Sequence, residues 1–414
     1  MVYAANNVLI DRNEAGGDGG GIFASGAGSM VELAGEVNVG NATLANDPAG
    51  TLDCRDSQWS PVLGNTATNG GGIAVVAGAT LDIGGSLRGF APTLPIGFEE
   101  SSPTSGVRLT CNEAALDGGG VFVSGAGTVS NLQRAVLNLN VAGDDGGAVA
   151  AWDGAIVSIV DSTFMENQAN RRGGGLVAGD ADTSVSIATA ATVGDDGTCL
   201  EDDGASLGRD RYCTDFVVNF AENGGALAVV QGANVSAVRV GLRNNDVTSR
   251  GQAFYVDSTG LGADRSFLGL FSSQSMKHLT ESALVDGTGR LRVKLSTLAD
   301  QGVIQVDSTQ TQLVEESVLW ETSGVGGGFS LGVGATVLGN RNVGVLAGIT
   351  GSGLAVDPLY RATARTGFQL QTISPAIDYP TITAASFDIE LNTRPGAAPP
   401  GGATVDAGAH EYAP

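Results

Sequence analysis

The chain has 414 residues, of which 64 are glycine and only 13 are Phe, 6 Tyr and 3 Trp. Hydrophobic residues reach 42% and charged residues only 16%, which excludes a disordered polyelectrolyte, and no three-residue glycine period exists, which excludes collagen. The formal net charge is −23, with Lys277 and Lys294 the only lysines, so the basic footprint that nucleic acid or an anionic membrane surface requires is missing.

The opening stretch, Met1 to Asn7, has neither the basic n-region nor the apolar h-region of a signal peptide. No run of eighteen apolar residues is present to span a membrane as a helix. The first repeat begins within ten residues of Met1, so any export signal is expected to lie outside this chain.

A motif then recurs: an apolar residue, two variable positions, Asn, usually x-Ala, and a Gly-Gly-(Gly/Ala)-aliphatic run. Copies start at Ile10 (Asn13, Gly19-Gly20-Gly21-Ile22), Val62 (Asn65, Gly70-Gly71-Gly72-Ile73), Leu109 (Asn112, Gly118-Gly119-Gly120-Val121) and Leu137 (Asn140, Gly146-Gly147-Ala148-Val149). Phe164-Met165-Glu166-Asn167 leads into Gly173-Gly174-Gly175-Leu176, and Phe220-Ala221-Glu222-Asn223 joins Gly224-Gly225-Ala226-Leu227 directly, as a copy with its spacer deleted. A decayed copy runs from Leu242 and Asn245 to Gly251-Gln252-Ala253-Phe254.

The asparagine intervals on this reading are 52, 47, 28, 27, 56 and 22 residues. The short ones set a unit near 25 residues, and the long ones are the same unit carrying an insertion. Alternating runs such as Thr80-Leu81-Asp82-Ile83 and Val185-Ser186-Ile187 read as strands between Gly-rich turns. Short strands in a repeat of this length predict an all-β solenoid, and specifically a right-handed parallel β-helix with rungs about 4.8 Å apart. The asparagines Asn13, Asn65, Asn112, Asn140, Asn167, Asn223 and Asn245 are expected to stack as a hydrogen-bonded ladder at one corner. Glycines should supply positive φ at the turn. A β-sandwich would predict irregular spacing and more aromatics.

Phe164 to Leu176 and Phe220 to Leu227 resemble the FxxN and GGA(I/L/V) repeats of chlamydial polymorphic outer-membrane proteins and, more broadly, bacterial surface β-helix proteins. The resemblance covers roughly residues 10–255, implies an exported passenger-type solenoid, often adhesive, and carries over no catalytic residues.

From 256 to 350 the glycine signature fades, while runs such as Gly289-Arg290-Leu291-Arg292-Val293-Lys294-Leu295 and Ser317-Val318-Leu319-Trp320 keep a spacing of 20 to 25 residues. Roughly eleven coils are expected in all. The C-terminal order Asp357-Pro358-Leu359-Tyr360, Ser374-Pro375-Ala376-Ile377-Asp378, Arg394-Pro395 and Asp406-Ala407-Gly408-Ala409-His410-Glu411-Tyr412 resembles the terminal block of bacterial extracellular proteins of the choice-of-anchor type. It departs from that pattern at Tyr379-Pro380, where Ala-Gly is usual. A solenoid must cover its last unpaired strands, so 351–414 is read as a capping segment after coils in 1–255 and 256–350.

Three insertions, roughly 40–62, 86–108 and 192–215, precede the apolar-x-x-Asn position and should emerge at one corner. There Trp59, Phe90, Phe98 and Tyr212 are candidates to contact a glycan or a surface protein. Cysteines Cys54, Cys111, Cys199 and Cys213 lack C-x-x-C spacing, and only His278 and His410 are available as partners, which argues against zinc. Of three possible pairings, Cys54–Cys111 and Cys199–Cys213 are favoured in an oxidising compartment; the alternative is four buried thiols in a reducing one. Asp195, Asp196, Glu201, Asp202, Asp203 and Asp210 are the candidate Ca²⁺ ligands, though their spacing fits no EF-hand loop and a solvated acidic turn explains them better.

Asp144-Asp145 could be paired catalytic carboxylates, but a variable polar spacer at that point reads as a turn. A polysaccharide lyase would need a basic face, for which Arg171, Arg172, Arg239, Arg243 and Arg265, with Asp246 and Asp264, are the candidates. Two histidines make a Ser-His-Asp triad implausible, and the GGG runs lack the Lys-Ser/Thr of a phosphate loop. The sequence therefore points to an extracellular or cell-surface, non-enzymatic adhesin or structural element without a required cofactor. A carbohydrate lyase or hydrolase and a self-assembling fibre subunit are the alternatives.

Overall fold

The computed structural model describes residues 2–5, 8–35, 37–40, 64–84, 107–189, 214–259, 265–271, 273–276, 283–299, 304–320, 329–344, 346–355 and 374. Among these no helix occurs, and the strands form three sheets of 22, 10 and 6 members. The fold is a right-handed parallel β-helix, as the repeat period predicts. One coil supplies Val129–Gln133 and Ala135–Asn138 to the large bent sheet, Val141–Ala142 to the small one and Val149–Trp152 to the ten-stranded one. The next coil places Ile156–Val160, Thr163–Met165, Gln168–Ala169 and Leu176–Ala178 beside them, all parallel and in register.

Stacking in register puts like residues in columns. Inward positions are Val121 and Val123, then Val149 and Ala151, Leu176 and Ala178, and Leu227 and Val229, all in one continuous core. The lumen is narrow, so β-branched and small residues fill it at native density and few aromatics are needed. Phe164, Phe216, Phe254 and Phe329 are the aromatics in that core among the described residues; Phe164 and Phe216 stack on adjacent coils with ring centroids 4.4 Å apart and planes 11° from parallel.

The asparagine ladder exists, with one change of membership. Each Asn side chain donates from Nδ2 to the Oδ1 of the next: Asn13 to Asn65 at 2.8 Å, Asn65 to Asn112 at 3.0 Å, Asn112 to Asn140 and Asn140 to Asn167 at 2.9 Å. Asn167 then donates to Asn219, not Asn223, and Asn219 to Asn245, both at 3.0 Å. Both Phe216-Val217-Val218-Asn219 and Phe220-Ala221-Glu222-Asn223 fit apolar-x-x-Asn, but only the first puts alanine two positions on and the glycine run five positions on. The spacer is present in that coil, one residue shorter than in most of the others. The intervals become 52, 47, 28, 27, 52 and 26 residues.

Each Oδ1 also accepts the backbone N–H of the preceding asparagine, and each Nδ2 reaches a carbonyl of the coil before, as Asn140 does to Leu109 at 2.9 Å. These bonds hold the residue before most of these asparagines in the left-handed region, with φ of 59° at Cys111, 56° at Leu139, 52° at Glu166 and 56° at Val218. That conformation costs a non-glycine residue roughly 1–2 kcal/mol, which the satisfied ladder offsets.

The glycine triplets divide their labour. Gly118 takes φ +68°, and a Cβ on Gly119 would sit 2.4 Å from the carbonyl oxygen of Gly147 on the next coil. Only the first glycine is there for its dihedral; the second lets successive coils approach closely. A second ladder, of hydroxyls, runs at the other corner, the bend within the large sheet: the amides of Ala135 and Ser162 donate to the hydroxyls of Ser162 and Thr214, and the row continues past residue 255. The amides of Val240, Ser273 and Ser296 donate to the hydroxyls of Ser273, Ser296 and Ser317, and the Ser317 amide donates to Asn342 Oδ1 at 3.0 Å.

The insertions do not share one corner. Segments 85–106 and 190–213 leave from the bend of the large sheet, between Thr80–Ile83 and Val107–Thr110 and between Ser184–Ala188 and Thr214–Val217. Segment 41–63 leaves from the asparagine corner, after Val37–Gly40. Val39 therefore fills the apolar position of that coil, paired with Leu109, where the sequence reading had Val62. The capping segment lies outside the described residues, apart from 351–355 and Ser374.

Candidate binding face

The ten-stranded sheet turns alternate side chains outward, and several of them are aromatic. Register places Phe23, Ala74, Phe122, Ala150, Val177, Ala228, Tyr255, Leu284, Gln305 and Ser330 in one outward column. Ala150, Val177, Ala228 and Val230 are buried as a cluster separate from the core, with the partly buried Phe122, Trp152 and Tyr255 packed against them. Phe23, at the start of the column, is 53% exposed. Ala74, Ala150, Val177 and Ala228 are 0% exposed, so the partly buried aromatic side chains, not the small residues between them, offer surface here. A parallel outward column carries Ser124 and Trp152 and, further along, Val230, Asp257 and Asp286.

Trp152 is held by its neighbours on the following coil. A Cβ on Gly179 would lie 1.7 Å from its Cζ3, so the ring occupies the space that only a glycine leaves. The Arg172 guanidinium lies over the same ring, 5.6 Å from its centroid, in cation–π geometry. The indole N–H is buried and has no acceptor among the described residues.

Arg172 belongs to a second column, formed by the residue immediately before each glycine run: Asp18, Asn69, Asp117, Asp145, Arg172, Asn223 and Arg250. Asn69 Nδ2 donates to Asp18 at 2.9 Å, the Asp117 amide to Asn69 at 3.2 Å and the Asp145 amide to Asp117 Oδ1 at 3.1 Å. Arg172 then grips Asp145 with Nε at 3.0 Å and Nη2 at 2.6 Å. Arg171 lies 3.5 Å from Asp144 and 3.6 Å from Asp145. Burial, reinforced by the Asp145 and Asp144 carboxylates, pushes the Asp117 carboxyl up to about 6 against the pull of its hydrogen bond from the Asp145 amide. Tyr255 donates its hydroxyl to Asp257 at 3.0 Å and is raised well above the ordinary phenol range by burial and then by that carboxylate.

This column gives the turn read at Asp144-Asp145 a buried ion pair, since Asp145 is 2% exposed and bound to Arg172. It was visible in sequence as the constant polarity of the position before Gly-Gly; its mixed chemistry concealed that the members pair. Asp117, Asp144 and Asp145 could bring one oxygen each within 4.8 Å of one another, but two arginines already neutralise that cluster.

The arginines do not line one face. Arg243 pairs with Asp215 on the large sheet, Arg239 donates from Nε to the Thr189 carbonyl at 2.9 Å, and Arg172 stands beside the ten-stranded face. Trp59, Phe90, Phe98 and Tyr212 lie outside the described residues, as do Asp195, Asp196, Glu201, Asp202, Asp203, Asp210, Asp264, Cys54, Cys199 and Cys213. Cys111 is described; it carries no free thiol and is stacked on Gly64, at the root of the segment that holds Cys54.

No protein-family model matches the chain, and no curated protein matches it.

Proposed function

We propose that this chain is an exported cell-surface or extracellular β-helix that binds a glycan through the outer face of its ten-stranded sheet, without turning it over. The observation that carries this reading is the group of partly buried outward aromatics Phe122, Trp152 and Tyr255, packed over the buried Ala150, Val177 and Ala228. Outward aromatics with polar handles on a rigid sheet are the usual means of holding sugar rings. The resemblance of the Phe164 to Leu176 repeat to bacterial passenger solenoids, and of the 356–412 order to choice-of-anchor terminal blocks, supports placement at a bacterial surface.

Binding of the purified chain to an immobilised glycan panel tests this, alongside Tyr255→Ala and Trp152→Ala. A bound glycan whose signal falls at least fivefold in both variants supports the reading. Binding that both variants retain moves the site elsewhere. Release of new reducing ends or unsaturated uronates from the bound glycan would replace the adhesin by the lyase or hydrolase alternative.

A further inference from the structure

The same outer face is unevenly charged, and the charge selects among glycans. Beyond Val230 the column that carries Trp152 continues as Asp257 and Asp286, paired directly across neighbouring strands. Asp307 follows them one rung later, just after Val306, the partner of Val285. Like charges opposite one another on a sheet repel, and here they recur once per rung, about every 4.8 Å.

Their partners are neutral: Tyr255 and Thr259 donate to Asp257, the Gly287 amide to Asp286 at 2.7 Å and Gln305 Nε2 to Asp307 at 2.6 Å. Among the described residues no Lys or Arg forms an ion pair with any of the three. The strong cation near the aromatic row, Arg172, is already committed to Asp145 and Trp152. An anionic polysaccharide meets repulsion here, and a neutral one leaves the carboxylate row uncompensated.

Resting on the glycan-binding reading above, we infer that the ligand is a cationic glycan, a polymer of sugars bearing free amino groups. Its rings lie against the partly exposed Phe122 and Tyr255, and its ammonium groups meet Asp257, Asp286 and Asp307. A basic peptide fits less well. Extended peptides gain most of their affinity by adding to an open sheet edge, whereas the strands from Ile73–Val76 to Ile304–Val306 are paired on both sides and offer side chains alone.

Calorimetry of the full chain with glucosamine oligomers, their fully N-acetylated forms, oligogalacturonate and a lysine-rich peptide tests this. The free-amine oligomer should bind at least tenfold tighter than its acetylated form, and the margin should shrink as salt is raised from 50 to 500 mM. Asp286→Asn, which removes a repulsion and leaves the fold intact, should cost about fivefold in affinity for the free-amine oligomer and nothing for the acetylated one. Equal binding of both forms, or tighter binding of oligogalacturonate, overturns the inference while leaving a glycan-binding face. Binding of the lysine-rich peptide alone, or of no ligand, overturns both.

Discussion

Arg172 holds Asp145 of the preceding coil through two hydrogen bonds, Nε to Oδ1 at 3.0 Å and Nη2 to Oδ2 at 2.6 Å, with side-chain exposures of 11% and 3%. Removing one partner of such a pair strands the other charge out of water. Arg172→Met should therefore lower the unfolding free energy by about 3 kcal/mol in urea titrations. Asp145→Asn added to Arg172→Met should restore most of that loss, because no charge is then left uncompensated. If the single variant is as stable as the parent, the pair is not buried as described.

The ladder gives a sharper contrast between two asparagines four residues apart. Asn219 accepts from the amide and side chain of Asn167 and donates to Asn245 and to the Phe164 carbonyl. Asn219→Ala leaves buried groups on three coils unsatisfied and should cost about 3–4 kcal/mol in equilibrium denaturation. Asn223→Ala, whose side chain takes no part in that row, should cost under about 1 kcal/mol. Equal losses would mean that the coil is registered as its Phe220-Ala221-Glu222-Asn223 run suggests.

Asp117 should make stability fall as pH rises. Its carboxyl is raised from 3.8 to about 6, facing Asp145, Asp144 and Arg172. Between pH 4 and 6 the folded chain holds more of this proton than the unfolded chain, so the unfolding free energy drops across that window. A fully buried group with this displacement would be worth roughly 3 kcal/mol; partial exposure reduces that to about 1 kcal/mol. Asp117→Asn keeps the oxygen that accepts from Asp145 and should remove this component of the pH dependence in paired melts at pH 4 and pH 7.

Gly179→Ala tests the seat of Trp152. The added methyl needs the space now filled by the indole, so the ring must rotate away from Arg172. A shift in Trp emission, and weaker glycan binding without loss of the β-sheet circular dichroism signal, is the expected result. Unchanged emission would show that the ring does not rest there.

Much of the fold was legible because a side-chain ladder demands the same residue type in every coil, and Asn13 to Asn167 keep that rule without exception. The rule became ambiguous only where Phe216 and Phe220 each stand three residues before an asparagine. The serine row from Ser273 to Ser317 escaped notice because serine is common and one hydroxyl per coil makes no glycine-marked pattern. The Asp145–Arg172 pair joins residues 27 apart whose types differ in every coil, so it emerges only when register aligns them. The aromatic row was hidden for a related reason: Phe122, Trp152 and Tyr255 alternate with alanine and valine in space, not in sequence. The aromatics that stand out along the sequence, Trp59, Phe90, Phe98 and Tyr212, fall in the insertions.

The asparagine row also has a direction. In all six links the amide nitrogen points toward the later coil and the oxygen toward the earlier one. The side-chain dipoles therefore align head to tail, and the corner is electrically polar along its length, negative toward Asn13 and positive toward Asn245. Aligned amides strengthen one another, so each coil is set most firmly when both neighbours are in place. An aspartate at a middle position would accept from the coil before but have nothing to donate to the coil after. A single atom exchange, nitrogen for oxygen, would split one polarised row into two shorter ones.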